Sequence, residues 1–284
     1  MSGPVARERD ASRSGPALGW SHEMRAIGAI WLREFKVFTR ERSRVISSMF
    51  QPILWIAFVG TGLQAAVDAD RLGGTDYQSF IFPGVLVMST LFGTIFYGLY
   101  IIWDRKLDVL KEVLVAPVSR ASIFFGKVVG GSTEAVIQAV FVLVAGYALA
   151  TLAPFAFAEG MASTPVWILL PALAVVLLLA IGFVSVGLFI GSFFESLEGF
   201  QVIASFLTFP LFFLSGALYP LDSPGFPTWL GVVARLNPVT YAVDALRGLL
   251  IGQHAFPYWL DFAVLVGFAA VMIAAGTWAF NRMR

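Results

Sequence analysis

The sequence offers few ionisable side chains that could do chemistry inside an apolar environment. Glu134 is the one carboxylate that the hydropathy pattern puts well inside an apolar segment, where an ionisable group is a functional candidate by default. Lys127 lies about two helical turns earlier on roughly the same face, so it could pair with Glu134 or with a lipid headgroup. A proton relay normally needs more than one such group, which leaves Glu134 open between a structural and a functional role.

Asp244 and Arg247 are the other candidate charges. They lie one helical turn apart, so we expect them to pair along a short helix. Their pairing fits either a structural role or a contact with substrate.

Catalytic and metal-binding patterns are absent from the sequence. It has no cysteine, and His22 and His254 fall on opposite sides of the topology derived below. Gly126-Lys127 is followed by Val128 rather than by Ser or Thr, so the phosphate-binding loop of ATPases is missing. We therefore expect a chain that is not itself an enzyme and that holds no cofactor or metal.

The elements that position these groups are membrane helices. Hydrophobic residues make up 58% of the chain and charged residues 13%, against roughly 25% in soluble domains. Lipid must cover this apolar surface, and crossing about 30 Å of hydrocarbon takes about 20 helical residues. Hydropathy predicts six spans, at residues 45–67, 80–103, 128–151, 166–191, 199–221 and 259–280.

The basic residues orient these spans. Nine of the 19 lysine and arginine residues precede Val45, and the predicted topology puts 16 on one side of the membrane and three on the other. Because basic loops mark the cytosolic side, we expect both termini in the cytosol and a multi-pass protein of the inner membrane. Residues 1–19 are expected to be a disordered cytosolic tail.

Residues 20–44 predict an amphipathic helix in the inner membrane interface, with aromatic side chains toward lipid and basic ones toward headgroups. This helix is either a simple anchor or a collar that also touches a cytosolic partner. Its apolar stripe recurs every three or four residues and consists of Trp20, Met24, Ile27, Trp31, Phe35 and Phe38.

The loop 104–127 contains a shorter amphipathic pattern, which Pro117 ends. Leu107, Leu110 and Leu114 share one face, and Lys111 is among the charged residues around them. A helix held there is well placed to convey force from a partner, although an ordinary surface loop fits the same pattern.

The segment 222–257 is too polar and too rich in proline to cross the membrane. It predicts two short helices broken at Asn237-Pro238, in a re-entrant or interfacial position at the outer face. Within the spans, Gly126 with Gly130 and Gly187 with Gly191 are spaced for close helix packing, which we favour over a dimer seam.

Aromatic residues of the second and fifth spans are candidates for lining an apolar route suited to a drug or a lipid. Lipid-facing or core packing is the alternative interpretation. The candidates are Phe92, Phe96, Tyr97, Phe206, Phe209 and Phe213.

In their order along the chain, these features resemble the permease subunits of type-2 ABC exporters, which include drug, nodulation-factor and polysaccharide exporters. The resemblance covers about residues 25–282, and its most specific part is residues 213–247. The motifs that carry it are LREFKVFTRERSRVISSMFQPILW, LKEVLVAPVSRASIFFGK, FLSG, YP, PTWL, NP and YAVDALR.

The resemblance implies an all-α integral membrane protein with six spans, which pairs with a second copy or a paralogous permease. Two cytosolic ATP-binding cassette subunits would hold ATP and magnesium. Residues 20–42 would be the connecting helix, 104–119 would contain the coupling helix that docks on the ATPase, and 222–257 would cap the pathway outside. The coupling residues would be Leu107, Leu110, Lys111, Leu114 and Pro117.

The implied function is outward movement of an amphiphilic drug, lipid or lipid-linked glycan. Two other classes stay open. An ion-coupled secondary transporter would need several intramembrane charges and inverted repeats, and a membrane-embedded lipid-modifying enzyme would need a convergent polar site.

Overall fold

A computed structural model describes residues 20–64, 67, 72, 74–107, 118–152, 165–221 and 227–282, and regular structure within these ranges is entirely helical. The predicted tail, residues 1–19, lies outside them. Helix α1 (Trp20–Arg40) is followed by α2 (Arg42–Trp55), a π-helical turn (Ile56–Gly60) and the short α3 (Thr61–Gln64). The remaining helices are α4 (Tyr77–Phe96), α5 (Leu99–Lys106), α6 (Arg120–Leu152), α7 (Leu169–Phe193), α8 (Leu197–Phe213), α9 (Thr228–Leu236), α10 (Pro238–Ile251) and α11 (Tyr258–Arg282), and a 3-10 turn (Val166–Ile168) precedes α7.

Within the described ranges, five helical segments are long and apolar enough to cross a membrane. They are Arg42–Gln64, Tyr77–Lys106, Arg120–Thr151, Val166–Phe193 and Tyr258–Arg282, and each overlaps a predicted span.

The remaining predicted span, 199–221, corresponds to α8, but its predicted end lies eight residues beyond the observed end of the helix at Phe213. Helix α8 has 17 residues and stops at Phe213, so it is about 26 Å long at 1.5 Å per residue. The chain turns because Gly216 adopts a left-handed φ of 74°, and a Cβ there would lie 2.7 Å from Leu221 Cγ. Only glycine adopts this conformation without strain.

A proline inside α2 explains a contact with α6. Pro52 has no N–H and its ring excludes the normal bond to the carbonyl of Ser48. The Gln138 side-chain amide donates to that carbonyl at 2.8 Å. The freed backbone acceptor is therefore satisfied by a neighbouring helix.

Helix α7, which has no charged residue, is the centre of the bundle. It packs against α4, α6, α10 and α11 and buries Val175, Leu179 and Phe183. All-round hydrophobicity of this kind is typical of a helix surrounded by other helices or lipid.

The two glycine pairs predicted to bring helices together are confirmed as packing contacts within this chain. A Cβ on Gly187 would lie 2.3 Å from the Ile95 carbonyl oxygen, and one on Gly191 would lie 2.6 Å from the Gly98 oxygen. Gly126 and Gly130 face α1 in the same way. Small residues at these positions allow the helix backbones to touch.

Helix α1 differs from the prediction that its aromatic side chains face lipid. Phe38 is buried, and the Trp31 indole donates to the Thr133 hydroxyl of α6 at 3.0 Å. Because Gly126 and Gly130 carry no side chains, α1 lies directly against α6. Trp20, at the start of α1, is exposed.

Candidate functional site

A buried cluster of charges joins α1, α5 and α6. The Lys127 ammonium lies 3.0 Å from Glu34 Oε1 and 2.5 Å from Asp104 Oδ2, and the Lys127 side chain is only 1% exposed. Glu34 comes from α1, Asp104 from the end of α5, and Lys127 from α6. Three separate elements therefore meet at one lysine.

Arg33 and Tyr97 complete this charge cluster. Arg33 Nη2 lies 2.6 Å from Asp104 Oδ1, and the Tyr97 hydroxyl donates to Glu34 Oε2 at 3.0 Å. The two carboxylates are thus balanced by two cations, and the cluster is neutral as a whole. Although burial disfavours the charged guanidinium, the nearby Asp104 and Glu34 raise the pKa of Arg33 above its ordinary value.

Gly130 makes room for the cluster. A Cβ there would lie 2.9 Å from the Glu34 Cβ and 3.0 Å from the Tyr97 hydroxyl. The glycine that allows α1 to approach α6 therefore also allows Glu34 to reach Lys127.

Glu134 belongs to a different cluster from the one predicted. It lies 3.0 Å from Arg44 of α2, and Lys127 pairs with neither of the two partners considered for it, Glu134 or a lipid headgroup. Lys127 instead points toward α1 and α5, where two carboxylates are available. Arg44 also lies 3.3 Å from Glu41, which accepts a hydrogen bond from the Tyr100 hydroxyl at 2.9 Å.

The N-terminal part of α1 is bonded to the chain just before α6. The Glu23 carboxylate accepts hydrogen bonds from the Ser119 hydroxyl at 2.8 Å and from the Ser122 hydroxyl. These bonds favour the ionised form and hold the pKa of Glu23 below its ordinary value.

Helix α1 therefore contacts both flanks of the predicted coupling segment. Asp104 at its start bonds to Arg33, and Ser119 at its end bonds to Glu23. Of the predicted coupling residues, Leu107 ends α5 and is 65% exposed. The others, Leu110, Lys111, Leu114 and Pro117, lie outside the described residues.

The candidate lining residues fall into three environments. Phe92 and Phe96 border a cavity of about 270 Å³ between α2, α4 and α6, which Gln51 and Gln138 also line. Phe92 meets Phe209 of α8 edge to face, with ring centroids 5.2 Å apart.

On α8 itself, Phe206 is 78% exposed and Phe209 and Phe213 are exposed beside it. Phe206 also borders an apolar groove of about 480 Å³ between α8 and α9. Tyr97 differs from both groups because it is buried in the charge cluster.

Asp244 and Arg247 do not form the predicted ion pair. The Arg247 guanidinium donates to the Gly216 carbonyl at 3.0 Å and lies 3.9 Å from the centre of the Phe80 ring. Asp244 accepts hydrogen bonds from the backbone N–H groups of Ala255 and Phe256 at 2.8 and 2.9 Å. Each side chain is held by a loop that brings backbone groups to it, which helix spacing alone does not reveal.

Sequence reasoning missed Glu34 and Asp104. Glu34 lies beside the apolar stripe of α1, one turn from both Trp31 and Phe38, and a carboxylate there was the available signal of a buried partner. Asp104 carried no comparable signal because it directly follows a span, where charged residues are ordinary.

The model of the family described as ABC-2 type transporter matches residues 25–251. Similar proteins include ycf38 of Cyanophora paradoxa, described as a transport permease, which is 30% identical over 218 residues covering 76% of this chain and 71% of that protein. The inner membrane transport permease YadH of Escherichia coli strain K12 is 28% identical over 86% of this chain and 90% of its own length. Nodulation protein J of Rhizobium leguminosarum bv. viciae is 22% identical over 89% of this chain and 93% of its own length.

Proposed function

This chain belongs to the ABC-2 type transporter family, and we propose that it is the permease subunit of an exporter powered by a separate ATP-binding subunit. ATP and magnesium would bind to that partner, in two copies, and the chain itself would catalyse no reaction. This proposal is supported by the missing phosphate-binding loop in the sequence.

The observation that carries the proposal is the attachment of α1 to both flanks of the segment 104–119. Arg33 bonds to Asp104 before the segment, and Glu23 bonds to Ser119 after it. Force applied to the segment by a cytosolic ATPase would reach α1, α5 and α6 together through these contacts. Helix α1 would then act as a collar rather than a simple anchor.

The proposed topology has six spans, with α8 as the fifth and both termini in the cytosol. Helix α8 is short, but 17 residues lie at the lower end of the range of about 17–25 found for spanning helices. Helices α9 and α10 would then lie re-entrant at the outer face, with residues 45–284 forming the transmembrane domain. The name of YadH supports an inner membrane location.

A second permease copy is proposed to complete the transport route. The exposed aromatic face of α8 and the apolar groove beside α9 would border that route, because unpaired apolar surface of this kind fits an amphiphilic molecule. The substrate class is an amphiphilic drug, a lipid or a lipid-linked glycan.

The proposed function is tested by ATP hydrolysis. The chain is purified in lipid, alone and with any ATP-binding cassette subunit that its gene neighbourhood encodes, and hydrolysis is measured across a panel of amphiphiles. We expect no hydrolysis by the chain alone, and a stable complex whose hydrolysis responds to one compound class. Failure to bind any cassette, with turnover of lipid or response to an ion gradient by the chain alone, would overturn the proposal.

The coupling role is tested by replacing Leu110 and Leu114 together with aspartate. We expect basal hydrolysis by the complex to persist while substrate stimulation and transport are lost, because the apolar face would no longer dock. The matched control replaces the same two residues with isoleucine, which keeps the face apolar. Normal transport by the aspartate variant would remove the coupling role from this segment.

A further inference from the structure

Asp261 is a buried carboxylate that the proposed transport mechanism does not use. It lies in the first turn of α11 and is 0% exposed. Neither of its side-chain oxygens has a hydrogen-bond partner within the part of the chain that the structure describes. An isolated ionised carboxylate in such a place is strongly disfavoured relative to its neutral form.

The ionisable groups around Asp261 do not supply a counter-charge. Asp244 of α10 repels it, and the uncharged phenols of Tyr241 and Tyr258 lie within electrostatic range. Arg247 is the cation of α10, and its guanidinium is already engaged with the Gly216 carbonyl and the Phe80 ring. Helix α7, which packs against α11, has no ionisable side chain. On α6, which also packs against α11, Lys127 and Glu134 are bonded to other helices, and Arg120 bonds to Asn281 at the opposite end of α11.

The other groups nearby are also occupied. The His254 ring stacks beside Tyr258, and its Nδ1 lies 3.0 Å from the Phe256 carbonyl oxygen. Asp244 accepts two backbone N–H bonds, so its oxygens are already engaged. Of these two carboxylates, Asp261 is the one that has no hydrogen-bond donor among the described residues, so burial disfavours its ionised form.

The positive end of the α11 dipole favours an ionised Asp261, but this contribution is smaller than the cost of burying an unpaired charge. Metal binding would be the other way to compensate the carboxylate. Among the described residues, no group of three or more His, Cys, Asp or Glu side chains could hold a metal ion.

We propose that Asp261 is a proton-binding site whose protonated carboxyl keeps α10 and α11 packed beside Asp244. Loss of the proton places two negative charges at this contact and weakens it. This site does not depend on the assignment of transport function.

The test compares the melting temperature of wild type and Asp261→Asn in detergent between about pH 5 and about pH 9, followed by tryptophan fluorescence. A buried carboxyl without a hydrogen-bond partner fits this contact only while it carries its proton, so the stability that it contributes is lost as the proton leaves at higher pH. Asparagine imitates the neutral carboxyl at every pH. We therefore expect the melting temperature of wild type to fall progressively relative to that of the variant as pH rises from about 5.

The matched control is Glu198→Gln, which neutralises an exposed carboxylate of α8 and should leave a constant difference from wild type across this range. If Asp261→Asn does not fold, Asp261→Val is used, since an apolar side chain of similar size also imitates an uncharged group. Parallel curves for wild type and the Asp261 variant would overturn the proposal. It would also be overturned if sodium raised the wild-type melting temperature at high pH but left that of the variant unchanged, since the ligand would then be a metal cation.

Discussion

Replacing Lys127 with methionine removes the more deeply buried of the two cations that contact both Glu34 and Asp104. Methionine keeps much of the volume of the lysine stem, so the change leaves little cavity. The Lys127, Glu34 and Asp104 side chains are 1%, 4% and 10% exposed, so solvent cannot replace the lost charge. The two carboxylates are left to share Arg33, which is 35% exposed.

The expected loss in the free energy of unfolding is about 3–5 kcal/mol, because removing one member of a buried ion pair leaves its partner uncompensated. Adding Asp104→Asn restores charge balance through Arg33 and Glu34. The double variant should therefore be more stable than the sum of the two single effects predicts, by about 0.5–3 kcal/mol. This positive coupling distinguishes an electrostatic role of Lys127 from simple packing.

The assay is reversible unfolding in mixed detergent micelles, with transport by the assembled complex measured in parallel. Lys36→Met serves as the control because Lys36 is an exposed lysine of α1, the helix that carries Glu34, and it should change the free energy of unfolding by less than about 0.5 kcal/mol. A Lys127→Met variant within about 1 kcal/mol of wild type, or strictly additive single and double variants, would refute the reasoning.

Three further predictions follow from individual contacts. Glu134→Gln should lower the free energy of unfolding by no more than about 1 kcal/mol, since Arg44 is 36% exposed and keeps Glu41 as a partner. If transport by this variant is unchanged across pH, the role of Glu134 is structural. Gly98→Ala should cost about 1–3 kcal/mol in the same unfolding assay because its Cβ would lie 2.1 Å from the Gly187 oxygen. Gly267→Ala, whose Cβ meets no atom within 4 Å, is the matched control for Gly98→Ala and should be neutral or slightly stabilising. Asp244→Asn should lower the melting temperature and increase proteolysis near residue 255, because it weakens the hydrogen bonds accepted from Ala255 and Phe256.

Hydropathy predicted that the chain is a membrane protein and where five of its helices lie approximately. It could do so because a helix that crosses lipid needs a long apolar run, however the helices pack. Boundaries set by local backbone geometry were harder to predict. The predicted end of the fifth span missed the left-handed turn at Gly216, since hydropathy continues through residues that no longer form a helix.

Glycine spacing also predicted close packing, and that part was confirmed at Gly187 and Gly191. The spacing did not say which helices would meet. In the structure α1 packs against Gly126 and Gly130. Trp31 of α1, which was expected to face lipid, therefore contacts α6 instead.

The sequence by itself determined that Lys127 and Glu134 lie about two helical turns apart on roughly one helix face, because helical periodicity is a local property. Only the tertiary structure decided which charges meet. Lys127 contacts Glu34, which is 93 residues away in sequence, and Glu134 contacts Arg44, which is 90 residues away. Ion pairing depends on distances between helices, and the chain fixes those distances through the packing of its small residues rather than through the spacing of its charges.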